Sequence, residues 1–344
     1  MIDELVQTAQ AMVAPGQGIL AADESSGTIK KRFDQINTES TETNRRDYRE
    51  MLFGTTDAMR DYISGVILFD ETIRQSAADG TPFVQMLQAT GSIPGIKVDA
   101  GAKDLAGAPG EKITEGLDGL RERLAEYYAM GARFAKWRAV IDISREGGAA
   151  MPSAYCIKAN AHALARYAAL CQEASIVPIV EPEVLMDGDH DIDRCFEVTD
   201  YTLKELYNAL HEQRVLLEGS ILKPNMVVSG KLCPRQAGID EVAEKTVRCL
   251  KRTVPSAVPG IVFLSGGQSD EDATAHLDAM NRGYDMPWAL SFSYGRALQQ
   301  AALKAWGGRA ENVAAAREAF RHRARMNGLA AKGEWTGDLE RKVA

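Results

Sequence analysis

Lys223 closes a short apolar run in the stretch EGSILKPNM, residues 218–226. Pro224 disfavours helical geometry for the residue before it, which predicts an extended Lys223 at the end of a strand. A surface lysine at a strand terminus is the ordinary reading of such a residue. The other reading is an amine in a low-dielectric pocket, where the charged form is disfavoured and the neutral amine can attack a carbonyl carbon. Further cations shift the balance toward chemistry, because Lys97, Lys136, Arg138 and Arg296 also fall at or just beyond the ends of apolar runs.

Carboxylates recur at the same places. Side chains two apart on a strand share a face. Asp23 and Ser25 form one such pair, and Lys97 with Asp99, Lys136 with Arg138, and Glu181 with Glu183 form the others. Charges that close so many apolar runs must be paired or used, since an isolated buried charge is costly. The alternative is an ion-pair network that only organises the mouth of the fold. Glu181 and Glu183 suit proton transfer. A like charge raises one carboxyl pKa and a nearby lysine lowers it, so the pair can divide into an acid/base group and a supporting group.

Two stretches suit anions. Ser265, Gly266 and Gly267 precede the expected start of a helix near Asp270, where backbone N–H groups and the helix dipole favour negative charge. Arg296 follows the next apolar run. The second stretch is Ser25-Ser26-Gly27-Thr28, with Lys30, Lys31 and Arg32 close behind. Its plain alternative is a set of hydroxyls that cap a helix with a basic face.

These residues need elements to position them. Apolar runs span 18–23, 65–70, 95–100, 133–141, 177–185, 215–224, 260–267 and 288–295. Between them lie helix-like segments at 118–130, 153–174, 193–213, 238–253 and 270–280. Continuous apolar runs bounded by glycine and alternating with helices indicate parallel strands buried on both faces. Eight such units predict an α/β fold, a single (β/α)8 TIM barrel, with a doubly wound open sheet as the alternative. Residues 1–13 read as an extra amphipathic helix. Residues 309–344 read as a C-terminal helix and a polar tail, with the last ten loosely held.

Composition narrows the function classes. The net charge is −8 over 344 residues, without a basic stripe, so nucleic acid is not an expected partner. No apolar run reaches membrane-spanning length. The five cysteines are scattered without CxxC spacing, which fits reduced thiols in a cytoplasmic compartment. The histidines avoid the strand ends and form no HxH or HExxH pattern, so no metal is expected. Asp187, Asp189, Asp191 and Asp193 alternate without the glycine and distal glutamate of a calcium loop, and read as a solvated loop.

Taken together, GILAADES (18–25), GVILF (65–69), GIKVD (95–99), FAKWR (134–138), VPIVEPE (177–183), DGDHD (187–191), ILKPNM (221–226), FLSGGQS (263–269), FSYGRALQ (292–299) and LKAWGG (303–308) resemble class I fructose-bisphosphate aldolase. The likeness runs in order from about Pro15 to Gly308. It implies a barrel enzyme, a tetramer in many members, that works in the cytoplasm on a sugar bisphosphate without metal or other cofactor. By motif, Lys223 would form a Schiff base with the ketose C2, and Glu181 would be the acid/base group. Asp23 would take the C4 hydroxyl proton, beside Lys136, with Glu183 and Arg138 in support. Ser265, Gly266, Gly267 and Arg296 would bind one phosphate, and Ser25, Thr28 and Lys97 the other. Thr28 stands where many members have serine, and the family's usual terminal tyrosine is absent from GEWTGDLERKVA. Fructose 1-phosphate or sedoheptulose bisphosphate as substrate, and a sugar-phosphate-binding protein with a vestigial site, remain alternatives.

Overall fold

In the computed structural model, which describes residues 2–143 and 151–341, eight parallel strands close into a barrel. They are β1 (Gly18–Ala22), β2 (Ile63–Leu68), β3 (Ile93–Lys97), β4 (Phe134–Ile141), β5 (Val177–Val184), β6 (Ile221–Leu222), β7 (Gly260–Phe263) and β8 (Ala289–Tyr294). Neighbours follow chain order, and β8 closes onto β1 with Ser293 opposite Ile19. Each strand overlaps one expected run. β2 and β3 open ahead of Gly65 and Gly95, which were expected to bound them. Those glycines are interior because the Phe134 ring fills the barrel floor, and a Cβ on either would overlap it. Truncating Phe134 to alanine would cost roughly 3–5 kcal/mol.

The expected helices form at Leu120–Ala129, Ala154–Glu173, Ile192–Glu212, Ile239–Thr253 and Asp270–Gly283. A hairpin of Ala102–Asp104 and Lys112–Thr114 follows β3 and was not foreseen. The run at 215–224 is broken: Leu217–Gly219 form a 3-10 turn and only Ile221–Leu222 are strand. Lys223 stays extended through its N–H, which donates to Val180 O at 2.9 Å.

Two apolar clusters follow from the period-two alternation of the strands. Inward residues Ile19, Ala21, Ile67, Phe134, Val177, Ile179, Ile221 and Val262 pack with Leu5, Ala9 and Met12 of the helix Ile2–Met12, which plugs the floor of the barrel. Outward residues such as Leu20, Val66, Ile96, Trp137, Leu222 and Phe263 pack against the surrounding helices. Burial on both faces is why the strands read as unbroken apolar runs.

The C-terminal segment departs from expectation. The helix Val313–Ala330 is followed by a short helical turn, Gly337–Glu340, and this turn is docked. Glu340 pairs with Arg323 at 2.7 Å and His322 at 2.8 Å, and the Trp335 N–H donates to Asp278 Oδ1 at 2.9 Å. Residues 335–341 are therefore held by buried polar partners, not loosely attached.

Candidate active site

The alternation that builds the apolar floor also builds what lies above it. From Ile19 and Ala21 the next inward residue is Asp23. From Phe134 it is Lys136 and then Arg138, from Val177 and Ile179 it is Glu181 and then Glu183, and from Ile221 it is Lys223. These side chains line one cavity of about 220 Å3 together with Ser25, Thr28, Lys97, Ser265, Gly266 and Arg296. A carboxylate–lysine chain runs through it. Lys136 Nζ lies 2.8 Å from Asp23 Oδ2 and 3.2 Å from Glu181 Oε2, and Lys223 Nζ lies 3.2 Å from Glu181 Oε1. Lys136, Glu181 and Lys223 are each buried.

Burial and charge compete at these groups. Burial acts to raise the carboxyl pKa of Asp23, but Lys136, Lys223 and Lys97 outweigh it and hold Asp23 well below the usual carboxylate range. Glu181 behaves alike: burial opposes ionisation, while Lys136, Lys223 and Arg138 favour it and prevail, so its pKa is lowered. Burial works against charge on Lys136 too, yet Asp23, Glu181 and Asp99 raise its pKa and keep it a cation. A like charge felt at Glu181 comes from Asp23, across the barrel. Glu183 is occupied by Arg138, whose Nε donates to it. Lys97 donates to Asp99 Oδ1 at 2.6 Å and to Asp99 O at 2.9 Å.

Both anion stretches reach the cavity. Ser25 occupies the cap position of the helix Ser26–Asp34 without making a side-chain capping bond; its hydroxyl instead lies 3.1 Å from that of Thr28. The plain capping reading therefore fails for Ser25, and both residues line the cavity. On the other side, Gly266 takes a φ of +55°, which a side chain would strain, and its carbonyl accepts from Arg296 Nη2. Burial and the nearby Arg32 lower the pKa of Arg296, a cation that would gain from an anion beside it. Gly267 is the predicted residue that does not line the cavity; its N–H donates to Met186 Sδ at 2.8 Å.

Some site residues escaped sequence reasoning. Glu24 follows Asp23 just beyond β1 and also lines the cavity, buried against Arg32 and Arg49. Gln299 Nε2 donates to Ala21 O at 2.6 Å and to Glu24 Oε1 at 3.1 Å, which ties the end of β1 to the helix after β8. The available signal was Arg49, a charge set into the apolar face formed by Tyr48, Met51 and Leu52. Ser293, an inward residue of β8, lines the cavity, and its hydroxyl has no hydrogen-bond partner among the described residues. The aspartate loop is exposed at all four aspartates, as expected, and three of their carboxylates find partners. Asp187 pairs with Lys231 at 2.6 Å, Asp191 caps its helix by accepting from Arg194 N at 2.8 Å, and Asp193 pairs with Lys245. Among the described residues no group of three or more His, Cys, Asp or Glu could hold a metal ion, and no helix is long and apolar enough to cross a membrane.

Residues 4–344 match the family model described as fructose-bisphosphate aldolase class-I. The chain belongs to this family. Its aldolase relatives share the full length of the fold. One from Xanthomonas campestris, named a probable fructose-bisphosphate aldolase class 1, is 63% identical over 98% of this chain and 99% of its own. Another, from Arabidopsis thaliana, named fructose-bisphosphate aldolase 6, cytosolic, is 56% identical over 98% of this chain and 93% of its own. The solved fructose-bisphosphate aldolase of Plasmodium falciparum superposes with a TM-score of 0.95 at 52% identity, over 97% of this chain and 96% of that one.

Proposed function

We propose that Lys223 is the covalent centre of the class I aldolase reaction in this chain, with Glu181, Asp23 and Lys136 handling its protons and charges. As a class I fructose-bisphosphate aldolase, the protein cleaves fructose 1,6-bisphosphate to dihydroxyacetone phosphate and glyceraldehyde 3-phosphate, and catalyses the reverse condensation. The observation that carries the residue assignment is the Glu181 carboxylate set between two buried lysines, 3.2 Å from each Nζ. Lys223 Nζ adds to the ketose C2. Lys223, ion-paired with Glu181 in the free protein, first gives that carboxylate one proton so that its neutral amine can add. A second nitrogen proton passes to the C2 oxygen, and Glu181 returns the first to the resulting hydroxyl, so that water leaves and an iminium remains.

Asp23 then takes the C4 hydroxyl proton as the C3–C4 bond breaks, and the bonding pair moves into the iminium to give an enamine. Lys136 holds Asp23 at 2.8 Å and would make it a weak base on its own. Collapse of the iminium removes a positive charge beside Asp23 at the moment it accepts the proton, so its basicity rises with bond cleavage. Protonation of C3 and hydrolysis of the imine release the second product. Glu183 fixes Arg138 at the rim. Ser265, Gly266 and Arg296 take one phosphate, and Ser25, Thr28 and Lys97 take the other, which favours a bisphosphate over a monophosphate. Gly267 supports this loop from behind.

The iminium supplies the electron sink, and we assign no metal or other cofactor to the reaction. By family likeness we also assign the chain to a homo-tetramer. The cytosolic Arabidopsis relative supports a cytoplasmic location. Borohydride reduction in the presence of dihydroxyacetone phosphate tests the covalent centre. The ketose mass is expected on the peptide that carries Lys223, and labelling at Lys136 or Lys97 instead would overturn the assignment.

A further inference from the structure

The loop Ser265–Gly267 meets one guanidinium, that of Arg296, whereas a phosphate dianion carries nearly two charges. Arg32, also at the cavity, is committed to the buried Glu24. Another cation stands next to the loop. Lys231 lies on a ribbon that extends β5 and β6: its N–H donates to Met186 O at 2.9 Å, and Gly230 and Leu232 donate to His190 O and Gly188 O, each at 2.8 Å. This fixes its backbone and leaves a four-carbon stem free to turn. The ammonium rests over Gly267, where a Cβ, if present, would lie 2.5 Å from Nζ. Only glycine leaves that space to the lysine.

Lys231 is held there by Asp187 at 2.6 Å, with side-chain exposures of 42% and 64%. An exposed pair of this kind contributes little, roughly 0–1 kcal/mol, so exchanging the carboxylate for another anion costs little. Asp187 also favours the charge on Arg296. It therefore sits near both cations, where a phosphate bound at this loop would have to compete with it.

We propose that Lys231 is a second cationic ligand of the phosphate at this subsite, its ammonium leaving Asp187 and turning over Gly267 onto the phosphate opposite Arg296. Asp187 then acts as a place-holder that competes with the substrate. The inference rests on reading the Ser265–Arg296 loop as a phosphate subsite. The condensation direction separates the two questions, because dihydroxyacetone phosphate and glyceraldehyde 3-phosphate carry one phosphate each.

Arg296→Ala identifies, by the KM it raises, which of these occupies the subsite. Lys231→Met is expected to raise that same KM roughly tenfold and to leave the other within about twofold, the loss of one charge-assisted contact. Lys231→Arg should restore most of it. Asp187→Asn should have the opposite sign and lower that KM, and should do so only while Lys231 is present. If Arg296→Ala raises one KM and Lys231→Met changes neither, Lys231 is not a ligand although the subsite stands. If Asp187→Asn raises KM in parallel with Lys231→Met, the pair is structural and the proposal fails. If Arg296→Ala itself changes neither KM, the subsite reading falls and takes this inference with it.

Discussion

Glu340→Gln tests whether the C-terminal turn is part of the folded structure. Both Glu340 oxygens accept from Arg323 Nη1, at 2.7 and 2.8 Å, and Trp335 Nε1 donates to one of them at 3.0 Å. Arg323 is buried and also donates to Asp270 O at 2.9 Å and Thr274 Oγ1 at 2.6 Å. Glutamine keeps the shape but removes the charge and an acceptor. Because Arg323 retains its other acceptors, the cost stays below that of a stranded buried charge, and about 2–3 kcal/mol is expected. An unfolding entropy of roughly 0.7 kcal/mol/K for 344 residues converts this to a melting temperature about 3–4 °C lower. The pH dependence gives a second check. Burial acts to raise the Glu340 carboxyl, but Arg323, His322 and Trp335 prevail and lower it from 4.5. A carboxyl depressed in the folded state contributes stability above its unfolded value, and that stability is lost as pH falls through the folded value. Differential scanning fluorimetry of both proteins should therefore show the full gap at pH 7 and a closing gap below 4.5. A shift under about 1 °C at pH 7, or a gap undiminished in acid, would refute the docking argument.

Other outcomes follow from the same geometry. Arg296→Ala should weaken use of the bisphosphate by roughly 1.5–3 kcal/mol and spare an unphosphorylated ketose, and equal losses in kcat/KM for both would make Arg296 structural. Activity should survive exhaustive chelation, whereas a loss restored by a divalent ion would sink the imine-only reading. Burial pushes His276 from 6.5 down to about 4, with its ring Nδ1 2.6 Å from Gln268 Oε1. Its contribution to stability is thus complete above 6.5 and lost as pH falls toward 4, and His276→Gln should flatten denaturation midpoints across that window.

Much of this molecule was legible in one dimension because the barrel is built on a period of two. Strands buried on both faces must be apolar throughout, so their runs stood out. The same alternation placed Asp23, Lys136, Glu181 and Lys223 on the inward face at one end, where only paired or working charges are tolerated. What the period could not reveal was partnership across the barrel. Glu181 has a like-charge neighbour in Asp23, more than a hundred and fifty positions away in sequence, and Glu183 turns to Arg138. Gly65 and Gly95 looked like strand boundaries and proved to be room for Phe134, a close approach that exists only once β2, β3 and β4 lie side by side. Glu24 with Arg49 and Gln299, Glu340 with Arg323, and Lys231 over Gly267 were hidden for the same reason. Local sequence determines which face a side chain takes, whereas the partner that neutralises a buried charge comes from a distant segment and is decided by closure of the barrel.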